Sequence, residues 1–155
     1  MKKSGVLIGL IIVLAIGLLA GCSNEKKDVV SENEDSLKIG FSFYSMVIER
    51  WQRERDIFVS EAQGLGATVN TQNANGNLDK QKKQIEYLIN QEMDVIVIVA
   101  TDTKNLADSV KAAKEKGIKV IAYDRLIENA GVDLFVTFDS EKVGQIMGQQ
   151  LVKKF

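Results

Sequence analysis

The chain has 155 residues, 45% hydrophobic and 26% charged, a globular composition of the size of one domain at the usual roughly 100–200 residues. Its 20 basic and 21 acidic residues leave a net charge of −1, so it offers no cationic footprint for a nucleic-acid backbone. Histidine is absent and cysteine occurs once, which excludes Ser/His/Asp and Cys/His catalysis, histidine- or cysteine-built metal centres and an internal disulfide.

In chain order, Lys2 and Lys3 precede an apolar or small run from Gly5 to Ala20. The run is shorter than the roughly 20 residues that span a bilayer comfortably, and its basic-apolar-small layout is that of a secretory signal. It closes on Leu19-Ala20-Gly21-Cys22, which resembles the lipobox of bacterial lipoproteins. The resemblance implies a signal peptide over 1–21, a diacylglycerol on the Cys22 thiol, and an extracytoplasmic protein anchored to the membrane by lipid, two or three acyl chains sufficing for firm attachment. The alternative is an uncleaved span with Cys22 an incidental small residue. Residues 22–36 are polar and of mixed charge, a flexible tether.

The remainder alternates strand and helix. Leu37 to Phe43 is a first strand, and Glu49 to Leu65 a helix with Trp51, Phe58, Ala62 and Leu65 on its apolar side. Ala67 to Thr71 forms a short strand, and Asn77 caps a helix whose buried stripe includes Gln81, Ile85, Leu88 and Ile89. Asp94 to Ala100, with its β-branched run, fits a strand covered on both faces. Lys104 to Lys116 is helical and ends at Gly117; Ile118 to Tyr123 and Leu134 to Phe138 are strands; Ser140 caps a last helix carrying Val143, Met147 and Leu151. This alternation predicts an α/β fold, an open parallel sheet with helices on both faces.

In such sheets ligands lie outside the carboxyl ends of the strands. The residues there are Tyr44 and Ser45, then Asn73 to Asn77, Thr101 to Thr103, Asp124 and Arg125, and Asp139, with Glu49-Arg50-Trp51 opening the first helix. Planar hydrogen-bonding groups beside an aromatic, with no nucleophile–base pair, suit an uncharged polyol. Its C–H face lies on a ring, and its hydroxyls pair with carboxylate and guanidinium groups.

The segments Glu49-Arg50-Trp51-Gln52, Arg55-Asp56-Ile57-Phe58, Ala74-Asn75-Gly76-Asn77, Ala122-Tyr123-Asp124-Arg125 and Phe138-Asp139 with Glu141-Lys142-Val143-Gly144 resemble the type I periplasmic-binding-protein sugar receptors, and among them the D-xylose branch of the ABC importers. The resemblance runs from Leu37 to the C-terminus. It implies a non-enzymatic receptor without cofactor or metal that binds a monosaccharide, D-xylose or a related sugar, and hands it to an ABC permease; the alternative partner is a membrane sensor kinase. By the same resemblance Asp124 accepts from and Arg125 donates to adjacent sugar hydroxyls, Arg50 donates from the opposite wall, Trp51 stacks on the ring, and Asn75 stands behind them. Each has a plainer reading: Trp51 as core, Arg50 and Arg55 in an ion-pair network with Glu49 and Asp56, Asp124-Arg125 and the Asn73–Asn77 stretch as turns. A glycosidase pair is disfavoured because Arg125 beside Asp124 keeps the carboxylate ionised.

The family's receptors have two lobes. On that pattern residues 37–133 form the N-terminal sugar-binding lobe, and 134–155 the hinge strand and first helix of a truncated second lobe. Half a cleft cannot trap a sugar by closure, so the expected affinity of the chain by itself is weak.

Overall fold

The computed structural model describes residues 36–155. The expected signal peptide, Cys22 and nearly all of the tether lie outside the described residues.

Five strands, β1 (Lys38–Phe43), β2 (Thr68–Asn73), β3 (Val95–Ile98), β4 (Lys119–Tyr123) and β5 (Leu134–Val136), alternate with α1 (Glu49–Gly64), α2 (Leu78–Asn90) and α3 (Ala107–Glu115), and α4 (Ser140–Lys154) follows β5. The strands pair in the order β2-β1-β3-β4-β5, every pair parallel. This is the doubly covered parallel sheet that the alternation predicts. Period-two alternation sends Ile96 and Ile98 to one face, where they pack with Ile85 and Leu88 of α2 and Val110 and Ala113 of α3. Val97 faces the other way, where it packs with Phe41 and Phe43 of β1 and Trp51 of α1. Each fully buried aromatic or aliphatic side chain contributes about 1.5–3 kcal/mol. Gly40 lets α2 approach β1: a Cβ there would meet Leu88 Cδ1 at 2.9 Å.

Local signals account for most boundaries. Asn77 caps α2 by accepting the Lys80 N–H at 2.8 Å, as its position predicts. Gln81, Ile85 and Leu88 are buried on that helix. Gly66 and Gly117, with φ of 86° and 81°, turn the chain after α1 and α3.

Four local expectations are corrected. Leu65 is the C-cap of α1 and 87% exposed, off the apolar stripe. β2 runs on to Asn73, because it pairs with β1 along its whole length. α3 begins at Ala107 rather than Lys104: the Asp102 carboxylate accepts the N–H groups of Lys104 and Asn105, diverting that stretch into a turn. α4 is capped by Asp139, whose Oδ1 accepts the Lys142 N–H at 2.8 Å, placing Ser140 inside the first turn.

Candidate functional site

The carboxyl rim of the sheet is assembled by backbone geometry first. After β4 the chain makes a γ-turn, with Arg125 N–H donating to Tyr123 O at 2.8 Å around Asp124, whose φ is 65°. Positive φ in such a turn is strained for a residue with a Cβ. The turn is held from the β5 side, where Asp124 N–H donates to Val136 O at 2.8 Å and the Thr137 hydroxyl to Asp124 O at 3.2 Å. The Asp124 carboxylate is thereby aimed at α1.

Arg50 meets it there. Its Nη2 donates to Asp124 Oδ1 at 3.0 Å and its Nε to Glu54 Oε1 at 2.6 Å. The hydrogen bond to Glu54, opposed by burial and assisted by Asp124, pushes the guanidinium pKa up from its already high value. The other Glu54 oxygen accepts from the Tyr123 hydroxyl at 2.9 Å. Burial, and after it Glu54, raises the Tyr123 pKa above the ordinary phenol value. The Arg50 guanidinium also lies over the Trp51 ring at 4.5 Å and the Phe138 ring at 5.2 Å.

Arg125 is fixed independently. Its Nη1 donates to Ala100 O at 3.1 Å, its guanidinium lies 4.3 Å above the Tyr44 ring, and its Nε is 3.9 Å from Asp124 Oδ2. Tyr44 in turn accepts the Trp51 indole N–H at 3.1 Å. Beneath them Gln81, fully buried, donates to Ser42 Oγ and Val99 O and accepts from the Thr101 N–H. That network ties the ends of β1 and β3 together under the rim.

Arg50, Trp51, Asp124 and Arg125, singled out from the sequence, thus stand in one contiguous cluster. Trp51 enters it as a support: it is 3% exposed, packed with Phe43, Tyr44 and Tyr123, with Arg50 over its ring. The stacking expected of Trp51 is not carried by this geometry, because the ring is buried and the guanidinium stands above it. Arg55 pairs with its neighbour Asp56, apart from Arg50. Asn75 is exposed at φ 54° in the turn after β2, its N–H held by Asn73 Oδ1, and the next residue's N–H, that of Gly76, donates to Tyr44 O at 2.6 Å. Asn75 itself shares no hydrogen bond with the cluster.

Sequence reasoning missed Glu54, Tyr123 and Phe138 as members of this group. The spacing of Glu54, four residues beyond Arg50 on one helix face, is a legible signal; the contact with Tyr123 is 69 positions away in the chain and has none. Among the described residues no three or more His, Cys, Asp or Glu side chains converge as a metal site would need. The cluster offers charged, rigidly held donors and an acceptor at an open rim. It has hydrogen-bonding capacity for hydroxyls and no activated nucleophile.

Residues 39–155 match the periplasmic binding protein domain family, and the chain belongs to it. The chain is 44% identical over 135 residues to the D-xylose-binding periplasmic protein of Escherichia coli K12, covering 87% of this chain and 41% of that protein. It is 47% identical over 122 residues to the protein of the same name from Haemophilus influenzae, covering 79% of this chain and 37% of the relative. Among solved structures, the carbohydrate transporter solute binding protein of Chloroflexus aurantiacus in complex with D-glucose superposes with a TM-score of 0.68 at 35% identity, over 74% of this chain and 34% of that one. The chain therefore spans about two fifths of the length of the curated relatives it matches.

Proposed function

We propose that the chain is the sugar-grasping N-terminal part of an extracytoplasmic solute-binding lipoprotein that takes up a monosaccharide, D-xylose, for import by an ABC permease. It binds its ligand without transforming it. The observation that carries this reading is the Arg50–Asp124–Arg125 group, two fixed guanidinium groups bracketing one carboxylate at the sheet's carboxyl rim. The identity of 44–47% to D-xylose-binding proteins supports the choice of sugar. Asp124 accepts from one sugar hydroxyl, and Arg125 and Arg50 donate to its neighbours. Hydrogen bonds to such charged groups are worth about 1.5–3 kcal/mol each, and a stereoisomer that leaves one unpaired loses that amount.

In this reading residues 37–133 are the N-terminal lobe, and 134–155 are the hinge strand and the first helix of a second lobe that supplies the opposite wall. Residues 1–21 are the signal peptide, Cys22 carries the lipid, and 22–36 hold the lobe off the membrane. Titration of the chain from Ser23 onward with D-xylose, followed by NMR, tests the site. Shifts confined to Arg50, Asp124, Arg125 and their neighbours, with affinity weaker than micromolar, are expected. No response to D-xylose at tens of millimolar, or a response at another surface, refutes it.

A further inference from the structure

Arginine side chains at a surface rim are long and rotate freely, yet recognition of a hydroxyl pattern needs donors in fixed places. Arg50 is 41% exposed at its side chain and stands on the first turn of α1. Something must hold it. We propose that Glu54 is the positioning residue of the cleft: with one carboxylate oxygen held by the Tyr123 hydroxyl, its other oxygen locks the Arg50 guanidinium in the orientation that faces Asp124. This rests on the sugar-cleft reading above and adds to it the device that sets the geometry.

The contacts form a closed ring. Tyr123 on β4 donates to Glu54 Oε2 at 2.9 Å, Glu54 Oε1 accepts Arg50 Nε at 2.6 Å, Arg50 Nη2 reaches Asp124 Oδ1 at 3.0 Å, and Asp124 follows Tyr123 in the chain. The two oxygens of Glu54 have separate tasks, one toward the sheet and one toward the guanidinium. An ordinary exposed helix pair lacks the first of these; Arg53 and Glu49, 70% and 81% exposed at the same four-residue spacing, bond only each other. Glu54 is 28% exposed and Asp124 14%, so water competes less for this ring than for that pair. With Nε committed to Glu54, the planar guanidinium keeps one rotation about its stem, and Trp51 and Phe138 limit that as well.

The test uses the full chain labelled with ¹⁵N, as wild type and as Glu54→Ala, Glu54→Gln and Tyr123→Phe. Three quantities are read: water exchange of the Arg50 Nε–H, the shifts induced by D-xylose, and the thermal midpoint. Slow exchange is expected in the wild type, with acceleration of about tenfold in Glu54→Ala, smaller in Tyr123→Phe and partly restored in Glu54→Gln, whose amide oxygen still accepts. D-Xylose affinity is expected to fall in the same order while the midpoint stays within a few degrees. Arg50 Nε–H exchange unchanged in Glu54→Ala overturns the proposal. So does affinity that follows the midpoint across all three variants, which would make Glu54 a clamp between α1 and β4 and nothing more. If exchange responds to Glu54 but D-xylose shifts nothing in the wild type, the sugar reading falls while the locking of Arg50 stands.

Discussion

Asp124 combines two demands on one residue: a left-handed backbone and a carboxylate within reach of two arginines. They can be separated by substitution. Asp124→Gly and Asp124→Ala both delete the carboxylate, but only alanine keeps a Cβ at φ 65°. Urea unfolding is expected to show the glycine variant more stable than the alanine variant by about 1 kcal/mol; equal stabilities would mean that the turn carries no strain. Gln81 is the second residue whose value lies in what it leaves behind. Gln81→Leu strands the Ser42 hydroxyl, the Val99 carbonyl and the Thr101 N–H in the interior, and a loss of about 3 kcal/mol is expected in the same measurement. Sequence alone placed Gln81 on the buried stripe of its helix, by periodicity. It could not show which groups the amide serves, since the Val99 carbonyl, the Thr101 N–H and the Ser42 hydroxyl lie 18, 20 and 39 positions away.

At the scale of elements, the strands and helices were readable because each carries its own period, and their ends were readable only where one residue type dominates the cap. Asn77 is such a case. The start of α3 is not, because Asp102 turns Lys104 and Asn105 aside before the helix begins. The Asn105 side chain, followed by the Lys104 N–H, holds the Asp102 carboxyl below the usual carboxylate range. Likewise Asp139 and Ser140 are both good capping residues, and nothing in their adjacency says which one stands outside the helix. The two caps are expected to differ in consequence. Asn77→Ala should cost about 1 kcal/mol of global stability, because α2 packs Ile85 and Leu88 into the core. Asp139→Ala should leave the global transition in place and loosen only α4, none of whose residues is buried; hydrogen exchange resolved along the chain distinguishes these outcomes.

For the whole molecule, the two faces of the sheet are covered unequally. The face under α2 and α3 is closed, whereas on the α1 side Phe41, Ile57, Phe58, Val97, Ile121, Tyr123 and Val136 line an open apolar recess of about 470 Å³, with Glu54 and Glu61 at its edge. A hydrophobic dye such as anilinonaphthalene sulfonate is expected to bind there, and Ile57→Glu to reduce the signal at little cost in stability, since Ile57 is 57% exposed. Dye fluorescence unaltered by Ile57→Glu would place the binding elsewhere. Acid sensitivity has a definite source. Asp133 accepts the Val120 N–H at 2.9 Å and lies near Lys114 and Lys119; the Val120 N–H first, and the lysines after it, hold its carboxyl below the usual value. A lowered carboxylate pKa adds stability above the ordinary aspartate value of about 3.9 and loses it as pH falls through the depressed one. Asp133→Asn is therefore expected to be less stable than the wild type at pH 7, with the difference closing in strong acid. A constant difference at all pH values would contradict this.

Among the described residues, the first strand to leave the ribosome, β1, sits in the interior of the sheet, flanked by β2 and β3. Its partner β3 emerges more than fifty positions later, so until then β1 can pair only with β2. A nascent chain arrested before Val95 is accordingly expected to be cut readily by protease, and one that has exposed Ile98 and the helix after it to resist. Until then β1 stands at the edge of the sheet, open along the side that β3 later covers.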